Sequence, residues 1–318
     1  MESDSMLESV GAAGLLAPGD PVVAMLSGGR DSVCLLDLST RLLGSARVTA
    51  LHVNYGLRED AAQDEEHCAR LCARLGVELR VERARRPAGA GNVQAWARDV
   101  RYAAAAELAE AGADVAIATG HTADDQVETI LYRLASSPSR RALLGMRPRD
   151  GRLVRPLLAF TRAQTTVYCE ERGLRWCDDP SNGEPTYARN RVRHGLAAAL
   201  ADVHPAASAN VLRTAELLRE EAEVLDALAA AEIDGSGGLP RDAISLERLG
   251  ELPLALRRLV VQQLADRAAG RPVPGAARHA EGVAALRRTG RAMLDLGSGV
   301  RAVVDAGILR AEIHAPRQ

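Results

Sequence analysis

The 318-residue chain contains no lysine: every one of its 40 basic residues is arginine, set against 42 acids for a formal net charge of −2. A Walker-type phosphate loop ends in Gly-Lys-Ser/Thr, so its absence excludes that class of nucleotide site. The near-zero net charge likewise provides no global basic field of the kind that advertises nucleic acid. Aromatic residues are only 3% of the chain, with a single phenylalanine, so a core must rest on Leu, Val and Ala. Five cysteines form no C-x-x-C pair, which argues against zinc ribbons, iron–sulfur ligation and dithiol redox chemistry and favours buried reduced thiols. There is no secretory signal and no apolar run of membrane length, so a cytoplasmic location without membrane partners is expected. What remains, 47% apolar and 26% charged residues, is the balance of a soluble globular protein.

Against these absences one string stands out, Ser27-Gly28-Gly29-Arg30-Asp31-Ser32, directly behind the apolar run Val22-Val23-Ala24-Met25-Leu26. Strand, glycine-rich turn and helix in that order build an anion site, because free N–H groups of the turn and of the helix start converge on one point. Gly28 and Gly29 permit backbone angles that other residues resist, and Ser27, Asp31 and Ser32 add hydroxyls and a carboxylate at the rim. The plain alternative is a glycine turn capped by Asp31 or Ser32.

Strand-like and helix-like segments alternate through the first half. Residues 22–26, 48–53, 77–81 and 115–119 read as strands, with helical stretches at 31–43, 59–75, 93–111 and 123–134. That order predicts an α/β fold with a doubly wound parallel sheet, in which ligands sit beyond the carboxyl ends of the strands. The Ser27 turn, residues 52–58 and residues 120–128 all fall at such ends. Residues 136–155 break into Ser, Pro, Arg and Gly and read as a mobile loop. A helix at 161–172 and a turn at 178–183 follow. A long amphipathic helix begins at 205, and residues 235–238 look like a linker. Helices at 254–269 and 276–288 lead to alternating runs at 292–296 and 300–313, a small terminal sheet. The division expected is 1–204 catalytic, 205–234 linker helix and 235–318 a smaller, mainly helical C-terminal domain ending in that sheet.

A second polar segment, Gly120-His121-Thr122-Ala123-Asp124-Asp125-Gln126-Val127-Glu128, puts Asp125 and Glu128, three apart, on one helix face, and likewise Asp124 and Glu128. Such carboxylates could hold an ammonium group or Mg²⁺; read plainly, Thr122 is an N-cap and the acids suit the helix dipole. A third segment opens with Asn92 as a helix cap and projects Arg98 and Arg101 from one side. Eight arginines between positions 133 and 162 face a single acid, Asp150, and Arg189, Arg191, Arg193 and His194 form a second basic cluster. Arginine forks suit phosphate oxygens, so both clusters point to a phosphate-rich polymer, the plain alternative being a solvated surface.

The Ser27–Ser32 string resembles the S-G-G-x-D-S signature of PP-loop ATP pyrophosphatases, which cleave ATP between the α and β phosphates. With H-V-N-Y-G-L-R (52–58), G-N-V-Q-A-W-A-R-D-V-R-Y (91–102), A-T-G-H-T-A-D-D-Q-V-E-T (118–129), G-M-R-P (145–148), R-P-L-L (155–158), D-P-S-N (179–182) and R-N-R-V-R (189–193), the chain resembles the tRNA(Ile)-lysidine synthetase family over roughly residues 20–205. The resemblance implies a ligase. It would use ATP and Mg²⁺ to adenylate the wobble cytidine of a CAU-anticodon tRNA(Ile), then attach L-lysine at carbon 2 to form lysidine, changing the codon read from Met to Ile. By that resemblance Ser27, Gly28, Gly29, Arg30, Asp31 and Ser32 would bind ATP. Asp31, Asp125 and Glu128 would place lysine or metal, Arg101 and His121 would line the pocket, and the C-terminal domain and basic loop would grip tRNA. A homodimer is compatible with it. A PP-loop tRNA thiolation enzyme is the alternative, disfavoured by the missing paired cysteines. Three positions depart from the family pattern: Tyr55 stands for His, Gln94 for Glu, and residues 136–141 for an R-G-S-G loop.

Overall fold

The computed structural model describes residues 2–57, 61–87, 89, 91–110, 112, 114–137, 140–177, 188–235 and 238–314. The expected turn at 178–183, Arg58, Pro138, Ser139 and linker residues 236–237 therefore lie outside the described residues. The chain divides into two compact units, Met1–Ala215 and Glu216–Gln318.

The first unit opens with α1 (Glu2–Ala12), then alternates β1 (Val22–Met25), α2 (Arg30–Leu43), β2 (Val48–Asn54), α3 (Ala61–Leu75), β3 (Glu78–Arg83), α4 (Val93–Glu110), β4 (Ala116–Ala118) and α5 (Ala123–Ser136). The short helix α6 (Arg140–Leu143), strands β5 (Arg149–Asp150) and β6 (Leu153–Val154), and α7 (Arg162–Glu171) follow. Six strands lie in the order β3-β2-β1-β4-β6-β5, parallel except for the β5–β6 pair. All four residues of β1 are buried, as expected for a central strand covered on both faces. One side packs on α2, where Val33, Cys34, Leu35, Leu36 and Leu38 are fully buried; the other packs Val23, Met25, Leu51 and Ile117 against Ala105 and Ala109 of α4. Each Val, Leu, Ile or Met among them contributes about 1.5–3 kcal/mol by leaving water.

The parallel sheet stands where the sequence puts it, but the stretch 136–155 is not simply a loop. Leu153 and Val154 pair with Ile117 and Ala118, and the Thr119 N–H donates to the Val154 carbonyl at 3.0 Å, so this segment extends the sheet. The Gln126 amide fastens the preceding turn, accepting from the Met146 N–H and donating to the Met146 carbonyl at 2.8 Å. Gly145, at φ +64°, leaves no room there for a side chain, since a Cβ would stand 2.6 Å from Gln126 Oε1. That contact, with the positive φ, accounts for the glycine of Gly-Met-Arg-Pro.

Past residue 187, α8 (Ala188–Arg191) runs through a π-helical turn, Val192–Ala197, into α9 (Ala198–Val203), and α10 spans Ala207–Asp234. The division between the units falls inside α10. The second unit contains β7 (Ala243–Ser245), α11 (Leu246–Glu251), α12 (Leu254–Ala269), α13 (Ala280–Ala284), β8 (Arg291–Gly297), β9 (Val300–Asp305) and β10 (Ile308–Ile313). Its sheet, β7-β10-β9-β8, is antiparallel, with Val260, Val261, Leu264 and Ala265 of α12 buried in its core. The expected run 300–313 is two strands, folded back at Ala306 and Gly307, both at positive φ; the expected helix 276–288 is a 3₁₀ turn followed by the five-residue α13.

Candidate active site

β1 delivers the chain into the turn and α2 carries it away. Gly28 takes φ +86°, and a Cβ there would stand 3.4 Å from Cys68 Sγ. The Ser32 hydroxyl donates to the Gly29 carbonyl at 2.7 Å and accepts from the Ser27 N–H at 3.2 Å, closing the turn on itself. Gly29 is the N-cap of α2, and no side chain caps that helix; of the plain reading, Ser32 does close the turn, while the helix start itself is left without a side-chain cap. An uncapped N-terminus at a strand end leaves N–H dipoles available to an anion.

Gly120, at the end of β4, makes a close approach to this turn. A Cβ on it would lie 2.9 Å from the Asp31 carbonyl oxygen and 3.1 Å from Ser32 N, so only glycine lets the two strand ends meet. His121 follows, its Nδ1 2.7 Å from Thr119 Oγ1. Burial pushes this imidazole down to about 4; the guanidinium groups of Arg189, Arg155 and Arg101 act in the same direction and Asp125 against it. His121 is neutral at physiological pH.

Thr122 caps α5 in a capping box: Asp125 Oδ2 accepts from the Thr122 N–H at 2.8 Å. The other oxygen of Asp125 accepts from Arg189 Nη2 at 2.7 Å and from Arg162 Nη2. Glu128, whose side chain is only 4% exposed, accepts from Arg162 Nη1 and Arg189 Nε, both at 2.8 Å. Burial alone would raise the Asp125 carboxyl, but Arg189 and Arg162, with the Thr122 N–H, hold it below the usual range. The same acids keep Arg162 and Arg189 charged despite the burial that opposes it.

From the other side, Asn92 caps α4 by accepting from the Gln94 and Ala95 N–H groups. The Tyr55 hydroxyl donates to the Ala97 carbonyl at 3.0 Å, and its ring meets Trp96 edge-on at 5.7 Å. The residue that departs from the family pattern thus braces this wall. The Arg101 guanidinium lies 5.7 Å from the Tyr102 ring.

These elements enclose one cavity of about 740 Å³, the size of a small-ligand site. Ser27, Gly29, Arg30, Asp31, Ser32, Arg101, His121, Asp125 and Glu128 all line it; Gly28 shapes the turn from behind. Five arginines (30, 101, 162, 189, 193) face three carboxylates (31, 125, 128) across it, an excess of positive charge suited to a polyanionic ligand. Among the described residues no group of three or more His, Cys, Asp or Glu side chains could hold a metal ion by itself.

His52, the first residue of the 52–58 segment, is not in the cavity: it is buried in β2 with Nδ1 3.0 Å from the Leu26 carbonyl. Nor is the arginine run one phosphate-facing surface. Arg133, Arg149, Arg152 and Arg155 donate to backbone carbonyls of Gly145, Leu15, Ala109 and Arg147, while Arg162 enters the cavity. Arg189 and Arg193, grouped by sequence with a polymer-binding cluster, also line it. Nothing in the local sequence marks Thr165, yet its hydroxyl reaches Asp31. Four cysteines are buried and Cys177 is partly exposed, all five free.

Residues 12–200 match the family model described as a PP-loop domain. The tRNA(Ile)-lysidine synthase of Leifsonia xyli subsp. xyli is 36% identical over 308 residues, covering 94% of this chain and 92% of that protein. That of Thermus thermophilus is 39% identical over 261 residues, 81% of this chain and 51% of its own length; the chain thus spans about half of some curated relatives and nearly all of another. Among solved structures, the U34-tRNA thiolase NcsA from Methanococcus maripaludis with its [4Fe-4S] cluster superposes with a TM-score of 0.56 at 18% identity, over 68% of this chain and 78% of that one. At that identity the likeness concerns the fold.

Proposed function

The chain belongs to the tRNA(Ile)-lysidine synthase family of PP-loop proteins, and from that membership we propose that it is an ATP-dependent tRNA-modifying ligase. It would adenylate the wobble cytidine of CAU-anticodon tRNA(Ile) and attach L-lysine at carbon 2. The observation that carries the reading is the shared cavity in which an uncapped glycine-turn helix start faces the Asp125–Glu128 carboxylates.

A cytosine carbonyl is a poor electrophile, and transfer of AMP to its oxygen, with release of pyrophosphate, converts that oxygen into a leaving group. The lysine ε-ammonium would first lose a proton to the neutral His121 ring or to water, and the resulting amine then attacks carbon 2 as AMP departs with the C–O bond electrons. The Gly28, Arg30 and Asp31 N–H groups would hold phosphate, those of Ser27 and Ser32 being spent within the turn, with Arg30, Arg162 and Arg193 neutralising charge that develops on it. Asp125 and Glu128 would orient the lysine ammonium, exchanging it for one of the guanidinium groups of Arg162, Arg189 and Arg193 that they now hold. His121, neutral, has a ring nitrogen able to accept a proton, and Arg101 would steady the cytidine or the transferred AMP. Much of the acceleration would come from holding three reactants together.

Mg²⁺ suits this donor set: it commonly takes one or two protein carboxylates, the rest of its shell being phosphate and water. Asp31, beside the phosphate turn, is the carboxylate that would hold it, and the ion would neutralise pyrophosphate. Residues 235–318 would grip tRNA, with 205–234 as the connecting helix.

The test is incubation of the chain with ATP, labelled lysine and a CAU-anticodon isoleucine tRNA transcript. Lysine incorporation and pyrophosphate release that require all components are expected. Incorporation of sulfur from a persulfide donor, without lysine, would replace this reading by tRNA thiolation.

A further inference from the structure

Asp31 is not oriented by its own turn alone. Its Oδ1 accepts from the Thr165 hydroxyl at 2.6 Å and from Arg30 Nε at 3.0 Å, and Oδ2 lies 4.0 Å from Arg162 Nε. Thr165 is fully buried, 134 positions away in sequence, in the first turn of α7. Its hydroxyl has one proton and two acceptors in reach, Asp31 at 2.6 Å and the Arg162 carbonyl at 3.0 Å. The carboxylate is the shorter and stronger partner. The single Nε–H of Arg30 is shared between Asp31 Oδ1 and Thr165 Oγ1, at 3.0 and 3.1 Å, so Arg30 donates to the hydroxyl oxygen and does not compete for its proton.

The start of α7 is itself anchored. Thr161 and Gln164 form a capping box. Asp124 Oδ2 accepts from the Arg162 N–H at 2.8 Å, and the Ala123 N–H donates to the Phe160 carbonyl at 2.8 Å. One turn of α7 therefore fastens the opening of α5, which carries Asp125 and Glu128, to the carboxylate of the glycine turn.

We propose that Thr165 is a positioning residue that fixes the Asp31 carboxylate toward the metal–nucleotide, so that α7 sets the nucleotide side of the cavity in register with the acidic side. This rests on the nucleotide part of the reading above. Held by two donors on one oxygen, Asp31 presents a preset carboxylate rather than one that must be ordered on binding. Partners of this kind, one bond behind a metal-binding group, typically change metal affinity by about 10–100-fold when removed.

The experiment is calorimetric titration of α,β-methylene ATP, which cannot transfer AMP, into the full chain and its variants, with Mg²⁺ and with chelator. The wild-type chain should bind more tightly with Mg²⁺. Thr165→Val should lose roughly 10-fold with Mg²⁺ and little with chelator, Thr165→Ser should restore the wild-type value, and lysine affinity should not move. Thr165→Ala, which adds no bulk, carries the same expectation if the valine variant does not fold. Equal losses with and without Mg²⁺, or wild-type binding by a folded valine or alanine variant, would overturn the role of Thr165. A wild-type chain that binds no analogue at all would overturn the nucleotide reading instead.

Discussion

Asp125 and Arg189, 64 positions apart, meet at 2.7 Å through Asp125 Oδ1, while Oδ2 of the same carboxylate accepts the Thr122 N–H at 2.8 Å. The helix-capping reading and the ligand reading of Asp125 are thus compatible, one on each oxygen. On the proposed reading, the guanidinium groups of Arg162 and Arg189 occupy the place the lysine ammonium would take.

Asp125→Asn separates the two roles. The amide oxygen can still accept from Thr122, but the cationic partners lose a charge, so a stability loss of about 1–3 kcal/mol is expected. If Asp125 orients lysine, the apparent requirement for lysine should rise much more than that for ATP. Steady-state titration of both substrates checks this: equal effects would assign the carboxylate to metal, and an effect on melting alone would leave only the cap.

Asp31→Ala should abolish ATP–pyrophosphate exchange while the chain stays folded by circular dichroism, because the turn backbone is held by Ser27, Ser32 and Gly29 rather than by Asp31. Ser27→Ala should weaken ATP binding more mildly, since backbone donors remain. Near-normal exchange by a folded Asp31→Ala chain would remove Asp31 from the chemistry.

Gly120→Ala places a methyl 2.9 Å from the Asp31 carbonyl oxygen. Backbone must move, at a cost of about 1–3 kcal/mol, and the movement falls on the Ser27–Ser32 turn. A lowered melting temperature together with weakened nucleotide binding is expected. Unchanged binding would mean that the turn tolerates the shift.

Much of this is legible in the chain before its folding. The alternation of β-branched runs with helices locates the parallel sheet, and residues 27–32 and 120–128 do meet in one cavity. What escapes is what depends on pairings across the sequence. Arg162 and Arg189 count locally as members of basic clusters; only the fold brings them onto Glu128, 34 and 61 positions away. Leu153 and Val154 carry too short a pattern to announce a strand, and become one because β4 offers them a partner. Residues 52–58 fall at a strand end in sequence, yet His52 itself is buried with Nδ1 3.0 Å from the Leu26 carbonyl.

The His121 ring supplies a pH test. With its folded value near 4 against about 6.5 unfolded, the unfolded chain binds the extra proton between those limits. Stability is then full above about pH 6.5 and falls as pH drops toward 4. Urea midpoints measured across that window should decline more steeply for the wild-type chain than for His121→Gln. Parallel slopes would show that the imidazole titrates normally.

The last prediction concerns the basic segment. Arg133, Arg149, Arg152 and Arg155 serve backbone carbonyls and Arg162 serves the cavity; Arg140 and Arg141 open the short helix α6. If these two contact tRNA phosphate, replacing both by alanine should weaken tRNA binding and flatten its dependence on salt by about 0.7–0.9 per lost contact. Glutamate in their place should hurt more, adding repulsion to the lost contact. ATP affinity should hold, because neither arginine lines the cavity. Arg133→Ala is the control: losing its bond to the Gly145 carbonyl should lower the melting temperature without changing the salt slope. Filter binding across a salt series separates the cases. If the Arg140/Arg141 variants bind tRNA as the parent does at every salt concentration, the segment is solvated surface and the tRNA grip lies elsewhere in the chain.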